Sequence, residues 1–127
     1  MVGGEFRAHA ELAVRMFSEG VESMSKGDAA WACAAFYKAV EEAVKALAIV
    51  KNLDEAREAL ARDRWTMRLL DSAARRLGDT AWCAWVHGYF LYVEGFGEGR
   101  LGIEGVRARI PIIEALIREV KKLLGEG

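Results

Sequence analysis

Apolar residues recur at helical spacing along almost the whole chain, and no segment alternates in the way a half-buried strand does. Five amphipathic or apolar stretches are separated by short polar or glycine-containing breaks. The pattern predicts helices over Glu5–Ser25, Ala29–Lys51, Asp54–Leu77, Ala81–Phe96 and Glu104–Leu124. We therefore expect an all-α fold, a four- to five-helix up-and-down bundle that forms one domain over residues 1–127.

The stretch Ala81–Phe96 is apolar nearly all the way round and is expected to organise the bundle. At about 100° per residue, one narrow arc contains five aromatic side chains. They are Trp82, Trp85, Tyr89, Tyr92 and Phe96, and the opposite side carries Cys83, Ala84, His87, Leu91 and Glu94. Aromatic residues at helical spacing are more often core than a stacking platform for bases, so we expect this arc to face the core. The opposite side would then need another helix or a second copy of the chain.

Several local signals refine the helix prediction. The short connection at Gly27 and Asp28 predicts an antiparallel hairpin of the first two helices. A break is expected at Arg62–Arg64, which is polar on all sides, and Pro111 should kink the last helix or mark its restart. The glycine-rich stretch Gly95–Gly102 lacks the Gly-Lys-Ser/Thr ending of a P-loop and follows a helix, so it predicts a flexible connection.

Composition and charge narrow the class of protein. The longest uncharged run, Thr80–Val93, is too short to span a membrane, and no secretory apolar region is present. The formal net charge of −1 gives no general attraction to nucleic acid, and the arginines between Arg57 and Arg76 are interspersed with acids as in a salt-bridged surface. One Asn, no Gln and many charged residues are typical of heat-adapted proteins. We expect a soluble cytoplasmic protein.

Metal and cofactor chemistry finds little support in the sequence. Cys33 and Cys83 are the only cysteines, and with two distant histidines they do not have zinc-ligand spacing. Both lie among small apolar residues, where cysteine usually behaves as a core residue. A disulfide between them stays open as an alternative, because intracellular proteins of hyperthermophiles sometimes carry one. We expect no metal and no cofactor.

The order of features along the chain resembles that of a known family. A hairpin containing KGDAAWACAAFYKAVEEAVKALA (Lys26–Ala48) is followed by a helix with Trp65, by AWVHGYFLYVEGF (Ala84–Phe96) and by a terminal helix. This order is similar to the archaeal PaREP family, which in turn resembles the HEPN helical bundles. The resemblance spans roughly residues 5–124 and includes Phe36, Ala39, Glu42, Lys45, Leu47, His87, Gly95 and Phe96.

The resemblance implies a four- or five-helix HEPN-like bundle that often dimerises. Many HEPN domains are metal-independent ribonucleases paired with a small nucleotidyltransferase in toxin–antitoxin modules. Their signature places an Arg four to six residues before a His. Before His87 those positions hold Thr80, Ala81 and Trp82, so the signature is absent. The resemblance therefore implies an interaction or regulatory module that lacks catalysis, with a nucleotidyltransferase-type protein as a possible partner.

An alternative function remains at this point. His87 could act as a general acid or base, with Glu94 seven residues on and arginines from the third helical region, in a divergent ribonuclease or nucleotide-binding protein. A packed histidine is the simpler interpretation of His87. The apolar surplus of the last two helices also predicts a homodimer that uses the fourth helix, the fifth, or both. Arginine in place of Leu91 or Leu116 is expected to split it.

Overall fold

The computed structural model describes residues 3–125, and every regular element in that range is helical. The elements are α1 (Gly4–Ser25), α2 (Ala29–Val50), α3 (Asp54–Arg62), α4 (Met67–Leu77), α5 (Asp79–Phe90), a π-helical segment (Leu91–Gly97), α6 (Ile103–Arg107) and α7 (Ile110–Leu123). The prediction of an all-α bundle is confirmed. All five predicted helical regions exist, and the third and the fifth are each divided in two.

Helix α2, and not the aromatic stretch Ala81–Phe96, is the central element of the bundle. It contacts every other helix and the π-helical segment. Its buried side chains include six alanines, which let neighbouring helices approach from several directions at once. The larger buried residues Phe36, Val40 and Leu47 fill the spaces between those neighbours. The expectation that the aromatic stretch organises the fold is therefore wrong.

The predicted antiparallel hairpin of α1 and α2 is present. Gly27 takes a left-handed conformation (φ 76°), and the Asp28 side chain accepts a hydrogen bond from the Trp31 backbone N–H at 3.1 Å. Midway along the hairpin the backbone of Gly20 lies against the Phe36 ring. A Cβ atom at Gly20 would come within 2.5 Å of that ring, so only glycine permits this approach.

The third helical region divides near the polar stretch Arg62–Arg64, as predicted. Asp63 adopts a left-handed conformation (φ 55°) that ends α3, and the Thr66 side chain caps α4 by accepting from the Leu69 N–H at 3.2 Å. The two short helices are joined by the buried carboxylate of Glu55, which accepts hydrogen bonds from Ser72 and, at 3.1 Å, from Arg76. Burial alone would raise the pKa of Glu55. The hydrogen bonds from Ser72 and Arg76 outweigh burial, so the pKa is lowered.

The last predicted helix restarts at its proline. Helix α6 ends at Arg107, and α7 begins at Ile110 with Pro111 in its first turn, where the missing N–H is not needed. Leu116 of α7 and Leu91 of the π-helical segment are both fully buried within the monomer. The expectation that they lie in a subunit interface is therefore wrong, because the bundle itself encloses them.

No helix within residues 3–125 is both long and apolar enough to cross a membrane.

Candidate functional site

A continuous row of aromatic side chains lies on the outside of the bundle. We call it the aromatic surface, and it consists of Trp31, Tyr37, Tyr89, Tyr92 and Phe96. The Trp31 and Phe96 ring centroids are 5.7 Å apart, and Phe96 stacks on Tyr92 at 5.8 Å. Tyr92 in turn stacks on Tyr37 at 4.5 Å, and Tyr37 contacts the edge of Tyr89 at 6.4 Å. The rings hold one another in place, so the surface is preorganised.

These aromatic residues are exposed to an extent that is unusual for their size. Trp31 is 62% exposed, Tyr89 45%, and Tyr92 and Phe96 41% each. On folded proteins, a contiguous exposed apolar patch of this kind usually marks a binding site. The aromatic surface is therefore the first candidate for function.

The prediction that the aromatic arc faces the core is wrong for most of its members. Trp85 alone is buried, Trp82 is half-buried, and the other three are exposed. The buried side of α5 and the π-helical segment is instead made mainly of small residues and one leucine. They are Ala81, Ala84, Gly88, Leu91 and Gly95. Small residues occupy the buried face because they allow the backbone to approach α2 closely, which large rings would prevent.

Two glycines show how close that approach is. A Cβ atom at Gly88 would lie 3.2 Å from a Val40 methyl group, and one at Gly95 would collide with the Cys33 sulfur. Gly95 begins the stretch Gly95–Gly102 that was predicted to be a flexible connection, but the first three residues of that stretch belong to the π-helical segment. Helical structure thus continues to Gly97 and positions Phe96 beside Trp31.

A groove of about 430 Å³ adjoins the aromatic surface at Tyr89. Its lining comprises Met67, Arg68, Asp71, Trp82, Trp85, Val86 and Tyr89. The Trp85 indole N–H donates to Asp71 at 3.2 Å, and the Arg75 guanidinium lies 4.7 Å over the Trp82 ring. The groove therefore has apolar walls with both charge signs at its edge.

The tyrosine at the middle of the aromatic surface stays uncharged. Burial is the main cause that raises the pKa of Tyr37 to about 12, and the neighbouring Glu41, Tyr92 and Tyr89 add to it. Its hydroxyl contacts the Met67 sulfur at 3.6 Å. The centre of the aromatic surface is thus apolar and neutral at physiological pH.

The two predicted site residues are not brought together. His87 is half-buried on α5, while the Glu94 carboxylate in the π-helical segment lies 3.5 Å from the Arg100 guanidinium. Within residues 3–125 no hydrogen bond or ion pair joins His87 to Glu94. The wide turns of the π-helical segment rotate the chain less per residue than an α-helix, so a spacing of seven no longer places both on one side.

Most arginines of the third helical region already have acidic partners, as the salt-bridged interpretation predicts. The pairs are Arg57 with Asp54, Arg62 and Arg68 with Glu58, Arg75 with Asp71, and Arg76 with Glu55. None of these contacts directs a guanidinium toward His87. The structure therefore lends no geometric support to a catalytic group at that histidine.

Both cysteines are free thiols. Cys33 is buried, and burial raises its pKa to about 11 although the charge of Arg109 acts in the opposite direction. Cys83 is exposed on α5, so the alternative of a disulfide between them is not realised. Within residues 3–125 no group of three His, Cys, Asp or Glu side chains is arranged to hold a metal ion.

One cluster of charged residues around Glu42 was not predicted from the sequence. Glu42 of α2, a charged residue, is only 2% exposed. His9 Nδ1 lies 2.6 Å from Glu42 Oε1, and Lys45 Nζ donates to Glu42 Oε2 at 3.0 Å. The available signal was the alanine content of α2, which indicates burial on all sides and hence at Glu42 too.

Comparisons with known proteins agree with this fold. No curated protein matches the chain. A crystal structure of a protein from Sulfolobus solfataricus superposes with a TM-score of 0.80 at 32% sequence identity, and the match covers 89% of this chain and 96% of that one. Residues 8–117 match the model of the archaeal PaREP1/PaREP8 family. The chain therefore belongs to the archaeal PaREP1/PaREP8 family.

Proposed function

We propose that the chain is a non-catalytic interaction module, and that the aromatic surface pairs it with a second copy of itself. The observation that carries the proposal is the row of four exposed rings, Trp31, Phe96, Tyr92 and Tyr89, in which Tyr37 joins Tyr92 to Tyr89. Water contacts the faces of rings that are already fixed in position. Covering them therefore gains apolar burial at little cost in side-chain entropy.

The size of the aromatic surface suits a protein partner. Its half-exposed rings offer on the order of 400 Å² of aromatic area, since each such side chain has about 150–250 Å² to bury. A stable interface buries roughly 800 Å² per partner, and the exposed Met67 and Val86 of the adjoining groove extend the apolar area. The surface and the groove together approach that requirement.

A second copy fits this surface better than a highly charged partner does. The centre of the surface is neutral, and the net charge of −1 leaves little repulsion between copies. Arg68 and Asp71 at the edge of the groove are already paired with Glu58 and Arg75, so neither leaves an unpaired charge to oppose a second copy. The proposed dimer thus still uses the fourth helical region. Its interface, however, is the aromatic face of that region and not the opposite face that the sequence predicted.

The more specific roles come from the family resemblance alone. Similarity to HEPN bundles, a regulatory role in a toxin–antitoxin or nucleotide-related system, and a nucleotidyltransferase-type partner stay predictions. Such a partner would be found by purifying the tagged native protein and identifying what remains bound. Divergent ribonuclease or nucleotide-binding activity is the weaker proposal, because His87 and Glu94 are not joined and the nearby arginines are paired.

Single substitutions on the aromatic surface test the proposal. Tyr92→Glu and Trp31→Glu place a charge in the centre and at the end of the row, so each should delay elution in size-exclusion chromatography. Leu60→Glu is the matched control, because Leu60 is 68% exposed on α3 and lies outside the aromatic surface. Circular dichroism must show that all three variants keep their helices. Elution of Tyr92→Glu and Trp31→Glu at the position of the unmodified protein would contradict the proposal.

A further inference from the structure

A second pocket, of about 370 Å³, lies between α1, α2 and α3 and shares no lining residue with the aromatic surface or its groove. We call it the His9 pocket. Its polar lining comprises Glu5, His9, Lys45, Asp63 and Arg64, and Trp65 with Leu60 and Ile49 supply apolar area. A small pocket in which a few polar groups converge beside an aromatic ring is the usual form of a ligand site.

His9 presents one specific nitrogen to this pocket. Its Nδ1 lies 2.6 Å from Glu42 Oε1, and a carboxylate can only accept, so Nδ1 must carry the proton. In the neutral ring the other nitrogen, Nε2, therefore has a lone pair and accepts hydrogen bonds. The His9 side chain is 26% exposed and lines the pocket, so Nε2, which has no hydrogen-bond partner within residues 3–125, is the ring nitrogen that a ligand there could use. A histidine held by a carboxylate in one tautomer is the arrangement found where proteins need a directed imidazole.

The carboxylate that orients His9 is itself held firmly. Lys45 Nζ lies 3.0 Å from both Glu41 Oε2 and Glu42 Oε2, and Lys38 Nζ lies 3.3 Å from Glu42 Oε2. The cluster thus fixes Glu42 within α2 and fixes His9 through it. Lys45 has two acidic partners already, so it contributes little attraction for an anion.

Charges of both signs remain available at the rim. Within residues 3–125, no ion pair within 4.0 Å involves Glu5, Asp63 or Arg64, although their neighbours Arg7 and Arg62 are paired. Lys45 is already paired, so the lining charges that remain, those of Glu5, Asp63 and Arg64, are of both signs and nearly balance. A ligand with a large net charge therefore gains nothing, whereas one that carries both signs can meet Arg64 with its anionic end and the carboxylates with its cationic end.

We propose that the His9 pocket binds a small zwitterion of the amino-acid class. The ammonium group donates to His9 Nε2 and lies near the carboxylates of Glu5 and Asp63. The carboxylate of the ligand accepts two parallel hydrogen bonds from the Arg64 guanidinium, a geometry that these two groups favour. The side chain of the ligand packs on the Trp65 ring. This site is independent of self-association through the aromatic surface.

Isothermal titration calorimetry of the full chain with the common free L-amino acids, one at a time, tests the site. At least one should bind with a dissociation constant in the millimolar range or below. For the best of them, the matching amine without the carboxylate and the matching acid without the amine should each bind at least roughly tenfold more weakly, because each lacks a charge-assisted hydrogen bond. Absence of heat from every amino acid at millimolar concentration would overturn the proposal.

Two variants locate the binding. His9→Asn keeps an N–H donor for Glu42 and removes Nε2, and Arg64→Gln removes the cation from an exposed position where the fold does not depend on it. Each should weaken binding by about tenfold or more. Arg118→Gln, an exposed arginine of α7, is the matched control and should bind as the unmodified chain does. Equal affinity in His9→Asn, Arg64→Gln and the unmodified chain would also overturn the proposal.

Discussion

Glu42 is a charged residue inside the most buried helix of the molecule, and its partners decide its state. Burial alone would raise the pKa of this carboxyl group, but hydrogen bonds from His9 and Lys45, with the charges of Lys45 and Lys38, hold it lower, at about 2. The neighbouring Glu41 carboxylate is neutralised by Lys45 at 3.0 Å. Glu42 is therefore ionised in the folded protein across the whole physiological range.

Because Glu42 is ionised in the folded protein, the free energy of unfolding depends on pH in the acidic range. Because the pKa of Glu42 in the folded protein is below its ordinary value of 4.5, its contribution is complete above about pH 4.5 and is lost as the pH falls toward 2. The contribution is on the order of 3 kcal/mol of the free energy of unfolding. Urea unfolding between pH 6 and pH 2 should show this loss in the unmodified chain. Glu42→Gln should be less stable at pH 6 and should lose less on acidification, and an equal loss in both proteins would contradict the assignment.

Gly95 gives a second prediction at the residue scale. Gly95→Ala should lower the free energy of unfolding by about 1–3 kcal/mol, because the added methyl group meets the buried Cys33 sulfur. Cys33→Ala removes that sulfur, so the double variant should recover part of the loss. Urea unfolding of the two single variants and the double variant measures the coupling. Simple addition of the two single effects would show that the two residues are not in contact.

At the scale of elements, the sequence predicted where the helices begin and end better than it predicted which face of each helix is buried. Gly27, Asp28, Arg62–Arg64 and Pro111 marked the ends of helices correctly because local backbone chemistry determines such ends. Which face of α5 is buried depends on its neighbour. The alanines of α2 favour a partner with small residues, and periodicity within α5 could not show that preference.

The same reasoning explains the fate of the candidate site. The pairing of His87 with Glu94 assumed an unbroken α-helix from Ala81 to Phe96, and the π-helical segment from Leu91 changes the register between them. Tyr89, Tyr92 and Phe96 of the aromatic surface were identified from the sequence, whereas Trp31 and Tyr37 of α2 were not. The exposure of these rings was not predicted, because it results from packing between helices that are distant in the chain.

A prediction about RNA follows for this region. Since no contact joins His87 to Glu94, replacing His87 should not alter the fate of labelled RNA incubated in EDTA. Unmodified protein and His87→Ala should give the same cleavage rate as buffer. Cleavage by the unmodified protein that disappears in His87→Ala would revive the ribonuclease hypothesis.

Leu91 provides a test of the corrected interface. Because Leu91 is fully buried in the monomer, Leu91→Arg places an unpaired charge in the core at a cost of several kcal/mol. That cost is comparable with the whole stability of a small domain, so the helical circular dichroism signal should be largely lost. Leu60→Arg, at an exposed position, should keep it. A well-folded Leu91→Arg monomer would instead place Leu91 in a subunit interface.

At the scale of the whole molecule, the bundle encloses most of its aliphatic residues and leaves a row of aromatic ones outside. Leu116, Ile117 and Val120 of α7 are all buried without a second copy, whereas Leu123 is 42% exposed, so only a small part of the predicted apolar surplus of α7 remains. The exposed apolar area is concentrated on the aromatic surface and its groove. We therefore expect self-association to use that face.

The molar mass in solution tests this central claim most directly. Multi-angle light scattering of the unmodified protein at micromolar concentration should give about twice the chain mass of 14.0 kDa, because covering the stacked rings of both copies removes them from water together. A mass near 14.0 kDa throughout the micromolar range would contradict the account.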